Sequence, residues 1–212
     1  MAPIAYPSSS FPAAASLPPK VKYFYHDPLA VEKLSQALNE YLRWLDPELS
    51  RELVVVGIGT DRSTGDSLGP LVGSLLQENI SLPLNIYGTL EDPVHASNLA
   101  EKLAFIESRH PQSIIIAIDA CLGQSENVGS ITLATGSLKP GAGVNKNLPS
   151  VGDLHFTGTV NVSGYMEYFV LQNTRLSLVL QMARIIAGAI EKGVKQSYNL
   201  TCNYLLAVEA LQ

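Results

Sequence analysis

Residues 53–70 read LVVVGIGTDRSTGDSLGP. The β-branched run Val54–Val56 predicts a strand that is buried on both faces. A glycine-rich loop with the carboxylates Asp61 and Asp66 follows, and apolar residues then recur at helical spacing over 68–76. A strand, a polar loop and a helix start together form the usual place for a site in an open α/β sheet.

The same loop lacks the chemistry of two common phosphate-binding motifs. A P-loop has a lysine before its Ser or Thr, whereas this chain has Asp66 before Ser67, and a carboxylate there would repel a phosphate. A dinucleotide-binding loop needs its glycines close together at the helix start, whereas Gly65 lies too far beyond Gly59. The loop is therefore predicted to present a carboxylate.

The composition bounds the class of protein. With 212 residues, of which 46% are hydrophobic, the chain is expected to form one compact domain with a full core. A net charge of −5 without a basic cluster argues against a nucleic acid partner. The two cysteines form no disulfide framework or metal spacing, which favours reduced thiols in a cytoplasmic protein. No apolar run reaches the roughly 18 residues of a membrane span, so no membrane association is predicted.

The N-terminal residues 1–22 differ in composition from the rest. They are rich in Pro, Ala and Ser and lack the basic start and long apolar stretch of a signal peptide. We predict a disordered tail over 1–22 and a single domain over 23–212.

Hydrophobic periodicity divides this domain into alternating strands and helices. About ten residues without helical periodicity separate Asp119 from the strand at 130–134, which is too few for a parallel crossover, so that strand is predicted to be antiparallel. Residues 198–211 are predicted to form a separate short helix. The other predicted helices lie near 28–45, 68–76, 99–109 and 176–190, and the other strands near 52–58, 84–87, 113–118 and 154–162.

This order of elements predicts an α/β fold, a three-layer α/β/α sandwich with a mostly parallel sheet. If the strands ending near Ile58 and Ile118 are neighbours, their chains leave in opposite directions and open a crevice at their carboxyl ends. Asp66 and Asp119 would both face that crevice.

Two aspartates in one crevice predict acid–base chemistry. Like-charge repulsion raises one pKa strongly, so that the pair holds a single proton. The ionised carboxylate can then activate water while the protonated partner polarises a carbonyl, which is peptide hydrolysis without a metal. Structural alternatives stay open: Asp66 also suits the N-cap of the following helix, and Asp119 could bind the amides of a turn.

Three motifs carry a resemblance to a known family. Thr64–Pro70, Ala117–Ala120 and Lys139–Lys146 resemble motifs of the spore germination protease, in the same order. The chain is more similar to the YyaC sporulation-protein family, a compact relative of that protease, over about 52–195. That likeness includes Leu148–Asp153 and Glu167–Arg175.

The resemblance implies a phosphorylase/hydrolase-like domain whose five-stranded sheet has the order 2-1-3-5-4 with strand 4 antiparallel. It also implies that Asp66 and Asp119 stand where the germination protease has its essential aspartates, which cleave small acid-soluble spore proteins without a cofactor. A protein or peptide substrate is the implied partner, and the oligomeric state is left open. This chain is much shorter than that protease and has no obvious propeptide cleavage region.

The hydrogenase maturation endopeptidases are more distantly similar and imply an alternative. Gly88-Thr89 resembles their glycine-threonine turn, which makes both residues substrate-binding candidates. In that family a histidine joins two acidic residues to bind nickel, and His155 or, less well placed, His95 would have to supply it here. A metallopeptidase and a catalytically silent binding protein therefore remain alternatives to an aspartic peptidase.

Two further residues have candidate chemical roles. Lys146 could hold a substrate carboxylate or a developing oxyanion, or it could be a solvated loop lysine. Cys121 follows Asp119 closely, but no histidine is placed to activate it, which favours a buried, inert thiol.

Overall fold

The computed structural model describes residues 17–78, 82–141 and 148–209, with the backbone alone described beyond Tyr198. The predicted tail therefore lies outside the described residues over 1–16, and so does Lys146. Within the described ranges, no helix has both the length and the hydropathy that a membrane-crossing helix needs.

In the described ranges six strands form one mixed sheet, and its order is β1-β5-β6-β4-β2-β3. The parallel pairs are β2 with β3, β2 with β4, and β4 with β6, whereas β5 runs antiparallel to both β6 and β1. Apart from β1, this is the predicted strand order, with the predicted antiparallel strand at β5. The strands are β1 (Val21–Phe24), β2 (Leu53–Gly57), β3 (Leu84–Tyr87), β4 (Ile114–Gly123), β5 (Ser130–Thr135) and β6 (Leu154–Val162).

Five α-helices within the part of the chain that the structure describes complete the α/β fold, and the predicted fold class is confirmed. They are α1 (Ala30–Leu45), α2 (Leu68–Gln77), α3 (Leu99–Arg109), α4 (Glu167–Gln172) and α5 (Leu176–Glu209). Helices α1, α2 and α5 share a large apolar core with one face of the sheet. Helix α3 packs on the other face in a smaller core that includes Val54, Val56 and Ala117.

The central strands explain why the sheet forms where it does. Every residue of β2 is buried, as expected for a β-branched run with helices on both faces. Along β4 the side chains alternate: Ile116 and Ile118 join the large core, whereas Ile115 and Ala117 join the core around α3. Both strands therefore lie in the middle of the sandwich, and their carboxyl ends meet at one edge.

The N-terminal boundary of the predicted domain is wrong by a strand. Strand β1 begins at Val21, inside the segment assigned to the tail, and pairs with β5 as a sixth strand. The hydroxyl of the buried Tyr41 donates to the carbonyl of Pro19 over 2.5 Å, which attaches the chain just before β1. The strand was missed because it follows directly on a Pro-rich stretch, whose composition is typical of a disordered tail.

Two other predicted boundaries also change. Strand β4 does not end near Asp119 but continues to Gly123, paired with β6 beyond the point where β2 leaves. The predicted short helix over 198–211 is not separate, because α5 runs without interruption to Glu209.

Close packing of glycine backbones joins the carboxyl end of β2 to the residue after β3 and to α2. A Cβ atom on Gly57 would lie 2.5 Å from the carbonyl oxygen of Gly88 and closer still to that of Gly69. Gly88 itself has a positive φ of 80°, which L side chains rarely adopt. The loop that follows β2 therefore starts from a backbone contact that only glycine permits.

Candidate active site

Asp119 lies at the point where the central sheet opens. The pairing of β2 with β4 ends at Gly57 and Ile118, and the amide of Ile58 donates to the carbonyl of Ile118 over 2.8 Å. Asp119 is the next residue of β4, paired with Thr157 of β6 on one side and beyond the ladder with β2 on the other. Its side chain is only 8% exposed, so a carboxyl group is buried at this edge.

Asp66 reaches the same edge from the loop after β2. It is half-buried in a 3-10 turn, Gly65–Ser67, that leads directly into α2. The carbonyl of Asp66 accepts from the amide of Thr60 over 3.1 Å, and its own amide donates to the carbonyl of Ser63 over 3.0 Å. These two hydrogen bonds join Asp66 to earlier residues of the same loop. Since Ser67 occupies the N-cap position of α2, Asp66 is not the N-cap residue.

The electrostatics connect the two carboxyl groups. Burial raises the pKa of Asp119 well above its usual range, and the nearby charge of Asp66 raises it further. The amide of Ala120 donates to Oδ1 of Asp119 over 2.9 Å, which opposes the increase without cancelling it. The charge of Asp66 therefore acts on Asp119, whose environment favours the protonated form.

Gly88 and Thr89 lie at the end of β3 and are held by contacts within the fold. Gly88 packs against the backbones of Gly57 and Gly73. Thr89 is buried, its hydroxyl accepts from the amide of Asp92 over 3.2 Å, and its amide donates to the carbonyl of Asp92. These contacts give both residues a structural role, and their predicted binding of substrate stays a prediction.

The candidate histidines differ in how they relate to the pair. His155 pairs in register with Ala117, so it lies on the same face of the sheet as Asp119, but its Nδ1 is hydrogen-bonded to the carbonyl of Gly136 at the amino end of β6. Burial lowers the pKa of His155, and the charge of Lys20 lowers it further. Across the residues that the structure describes, no three His, Cys, Asp or Glu side chains converge as a metal site.

His95 follows a residue that contacts the loop of Asp66, which its position in the sequence does not reveal. Val94 forms a parallel bridge with Ile58, and its carbonyl accepts from the amide of Gly59 over 2.8 Å. His95 therefore follows directly on a contact with the loop that holds Asp66. Its Nδ1 accepts from the amide of Ser97 over 3.3 Å.

Cys121 has an environment that keeps the thiol neutral. Burial raises its pKa, the charge of Asp119 adds to the increase, and a 3.5 Å contact with the hydroxyl of Thr159 opposes it. A thiol is a nucleophile only as thiolate, so this position does not favour covalent catalysis.

Two polar residues of the site region were missed in the sequence. Thr157 lies beside Asp119 in the ladder of β4 and β6, and only the register between these strands could have revealed it. Ser63 is buried in the loop of Asp66, with 7% of its surface exposed, and its hydroxyl has no hydrogen-bond partner within the described part of the chain. No sequence pattern marks such a hydroxyl, because the same residue type is ordinary in a solvated turn.

Comparison with known proteins places the chain in a family. The model of the DUF1256 family, described as a protein of unknown function, matches residues 22–189, so the chain belongs to this family. YyaC, an uncharacterized protein of Bacillus subtilis strain 168, is 53% identical over 170 residues, which are 80% of this chain and 82% of that protein. The resemblance to YyaC predicted from the motifs is thereby confirmed.

A solved structure is similar in fold at low sequence identity. It is a NiFe hydrogenase maturation protease, HycI of Thermococcus kodakarensis, which is 19% identical to this chain. The match covers 68% of this chain and 92% of that one, with a TM-score of 0.47.

Proposed function

We propose that this member of the DUF1256 family is an endopeptidase of the germination-protease type, which hydrolyses peptide bonds of a small protein substrate with Asp66 and Asp119. The observation that carries the proposal is the buried carboxyl group of Asp119, whose pKa is raised by burial and by the charge of Asp66. The resemblance of Thr64–Pro70 and Ala117–Ala120 to motifs of the germination protease supports the same pair.

The environments of the two carboxyl groups assign them different roles. Asp119 is the more buried residue and holds the proton, so it donates a hydrogen bond to the scissile carbonyl oxygen. Asp66 is half-buried on the loop, and we assign it the role of the base that takes a proton from the attacking water. Neither step needs a resident cofactor, because a carboxyl pair that holds one proton contains both an acid and a base.

The experiment is cleavage of a denatured proteome-derived peptide library by purified protein, read by mass spectrometry. Wild type is compared with Asp66→Asn and Asp119→Asn, each with and without a chelator. We expect cuts at defined positions from wild type, the same cuts with chelator, and a loss of at least about 100-fold in each variant, because general acid–base catalysis contributes roughly that much or more. Asp61→Asn, an exposed carboxylate of the same loop, is the matched control and should cut as wild type does.

The same design separates the alternatives. Cuts that disappear with chelator and return with a divalent metal would replace the aspartic mechanism by a metallopeptidase. Peptides retained by the wild type without any cut, over about pH 4 to pH 8, would leave a binding protein of the same fold. Equal cutting by wild type and either Asp→Asn variant would contradict the proposed pair.

A further inference from the structure

Thr157 of β6 is the cross-strand neighbour of Asp119. The ladder of β4 and β6 pairs the two residues directly, and its register shift comes later, after Cys121. Since the pairing of β2 with β4 ends at Ile118, β6 is the strand that still flanks Asp119. Neighbouring strands run about 4.8 Å apart, so the two side chains start from adjacent positions.

The packing around Thr157 shows which face of the sheet its side chain occupies. Phe156, the residue before it, belongs to the large core. A Cβ atom on Gly158, the residue after it, would meet the side chains of Leu68 and Met182, which belong to the same core. Because successive side chains of a strand alternate between the two faces, Thr157 points to the other face, on which α3 packs.

Asp119 points to this same face. Ile118 belongs to the large core and Ala120 packs against it, so the residue between them points away from it. Ala117, two residues earlier, accordingly joins the core around α3. The carboxyl group of Asp119 and the hydroxyl of Thr157 therefore stand side by side on one face of the sheet, within reach of each other through side-chain rotation.

The hydroxyl of Thr157 differs from that of Thr159, two residues later on the same face. The hydroxyl of Thr159 accepts from Oγ of Ser130 over 3.3 Å and lies 3.5 Å from Sγ of Cys121. Thr157 is partly exposed, and within the described ranges its hydroxyl has no hydrogen-bond partner. It is therefore free to donate to a neighbouring acceptor.

The carboxyl group of Asp119 changes its charge in the proposed reaction. The amide of Ala120 donates to its Oδ1 over 2.9 Å. When the group passes its proton to the scissile carbonyl oxygen, it becomes a carboxylate on a residue that is only 8% exposed, which is costly. A hydroxyl beside it can donate to the second carboxylate oxygen and stabilises the ionised form without adding a charge.

We propose that Thr157 is a positioning residue of the candidate site, whose hydroxyl donates a hydrogen bond to the Asp119 carboxylate once that group has passed its proton to the substrate. The proposal rests on the proposed peptidase function of Asp66 and Asp119. The hydrogen bond strengthens as Asp119 ionises, so it contributes more in the transition state than in the bound substrate. Loss of the hydroxyl therefore lowers kcat and kcat/KM alike and leaves KM nearly unchanged.

The test compares Thr157→Val, which removes the hydroxyl at similar shape, with Thr157→Ser, which keeps it. On a peptide that the wild type cleaves, we expect Thr157→Val to lower kcat about tenfold, equivalent to about 1.4 kcal/mol, with KM within about twofold. Thr157→Ser should keep kcat within about threefold of wild type. Thr132→Val is the matched control, because Thr132 pairs with Thr157 from the side away from Asp119, and it should cleave as wild type does.

Carboxyl-carbon NMR titration of Asp119 gives a readout that a merely structural role of Thr157 would not move. A hydrogen bond to the carboxylate lowers its pKa, so the pKa of Asp119 should be higher in Thr157→Val than in wild type. It should be unchanged in Thr157→Ser and Thr132→Val. The titratable neighbours Asp66 and Cys121 are present in all four proteins, so a difference reports on the hydroxyl.

Two results would overturn the role of Thr157. One is the same pKa of Asp119 in wild type and Thr157→Val, and the other is an unchanged kcat of Thr157→Val beside an active wild type. Failure of the peptidase function shows separately, as a wild type that cuts no peptide of the library. The titration then decides alone: a higher pKa of Asp119 in Thr157→Val supports the hydrogen bond, and an equal pKa overturns it.

Discussion

Asp119 places a carboxyl group in a protein core, where burial opposes its charge. It lies on a central strand, where the preceding residues are fully apolar, and its carboxyl group is buried beside a second carboxyl group. Ionisation there is costly, because both the loss of water and the charge of Asp66 act against the charged form. A residue with this cost is a candidate for function on physical grounds.

Replacement of Asp119 by Asn should make the protein relatively more stable as the pH rises. Burial raises the pKa of Asp119 in the folded state above the value of about 3.9 that holds in the unfolded chain. The stability that the protonated group contributes is therefore complete below about pH 4 and is lost as the pH rises through the folded pKa. Asn does not titrate, so the advantage of Asp119→Asn over wild type should grow by up to about 1.4 kcal/mol per pH unit in that window.

Urea unfolding of the two proteins at intervals from about pH 4 to pH 8 measures this difference. A difference in the free energy of unfolding that is independent of pH would show that Asp119 titrates alike in the folded and unfolded chains. A difference that shrinks as the pH rises would give the opposite sign and contradict the raised pKa.

The aspartates could be predicted from the sequence, whereas Ser63 and Thr157 could not. Asp66 and Asp119 each follow an apolar run, and this pattern is visible without coordinates. The unpaired hydroxyl of Ser63 is visible only in the hydrogen bonds of the fold, and the position of Thr157 beside Asp119 only in the register between β4 and β6. Both are properties of three-dimensional contacts that no local pattern encodes.

At the scale of elements, the junction of β2, β3 and α2 holds the loop of Asp66 in place. Gly57, Gly69, Gly73 and Gly88 allow these backbones to approach each other more closely than any side chain permits. The loop then leaves β2 toward Asp66 from a rigid base. The candidate site therefore depends on residues outside the proposed pair.

Two Gly→Ala changes should have opposite effects on stability. In Gly57→Ala the new Cβ would meet two backbone carbonyl oxygens, so we expect a loss of about 3 kcal/mol or more. In Gly188→Ala, within α5, the new Cβ would lie 3.5 Å from Cγ1 of Val31, an ordinary contact, and the better helix former should add about 0.5–1 kcal/mol. Urea unfolding of both variants checks the pair, and equal effects would contradict the packing described for Gly57.

The elements that were predicted and those that were missed differ in sequence context. Strands β2 and β4 begin with β-branched runs, and their burial on both faces leaves a signal that is easy to read. Strand β1 is as long as the predicted edge strand β3, but it follows directly on a Pro-rich stretch whose composition is typical of a tail. The break predicted before Tyr198 was wrong, since polar residues on one side of a long helix do not end it.

At the scale of the whole molecule, the sheet topology creates the site. Strand β2 has β4 on one side and β3 on the other, so the chain leaves the two central strands in different directions at their carboxyl ends. Strand β4 alone continues past this point, paired with β6, and presents Asp119 where β2 no longer covers it. The order of the five predicted strands followed from the resemblance, whereas the crevice was predicted on the condition that β2 and β4 are neighbours, which they are.

The coupling of Asp66 and Asp119 is the central claim, and carboxyl-carbon NMR titration of Asp119 tests it most directly. We expect the pKa of Asp119 in the wild type to lie well above the usual range. In Asp66→Asn it should fall, because the neighbouring charge is gone, but stay raised, because burial is the larger cause. The same pKa in both proteins, or a wild-type value in the usual range for an aspartate, would contradict the coupled pair and the mechanism built on it.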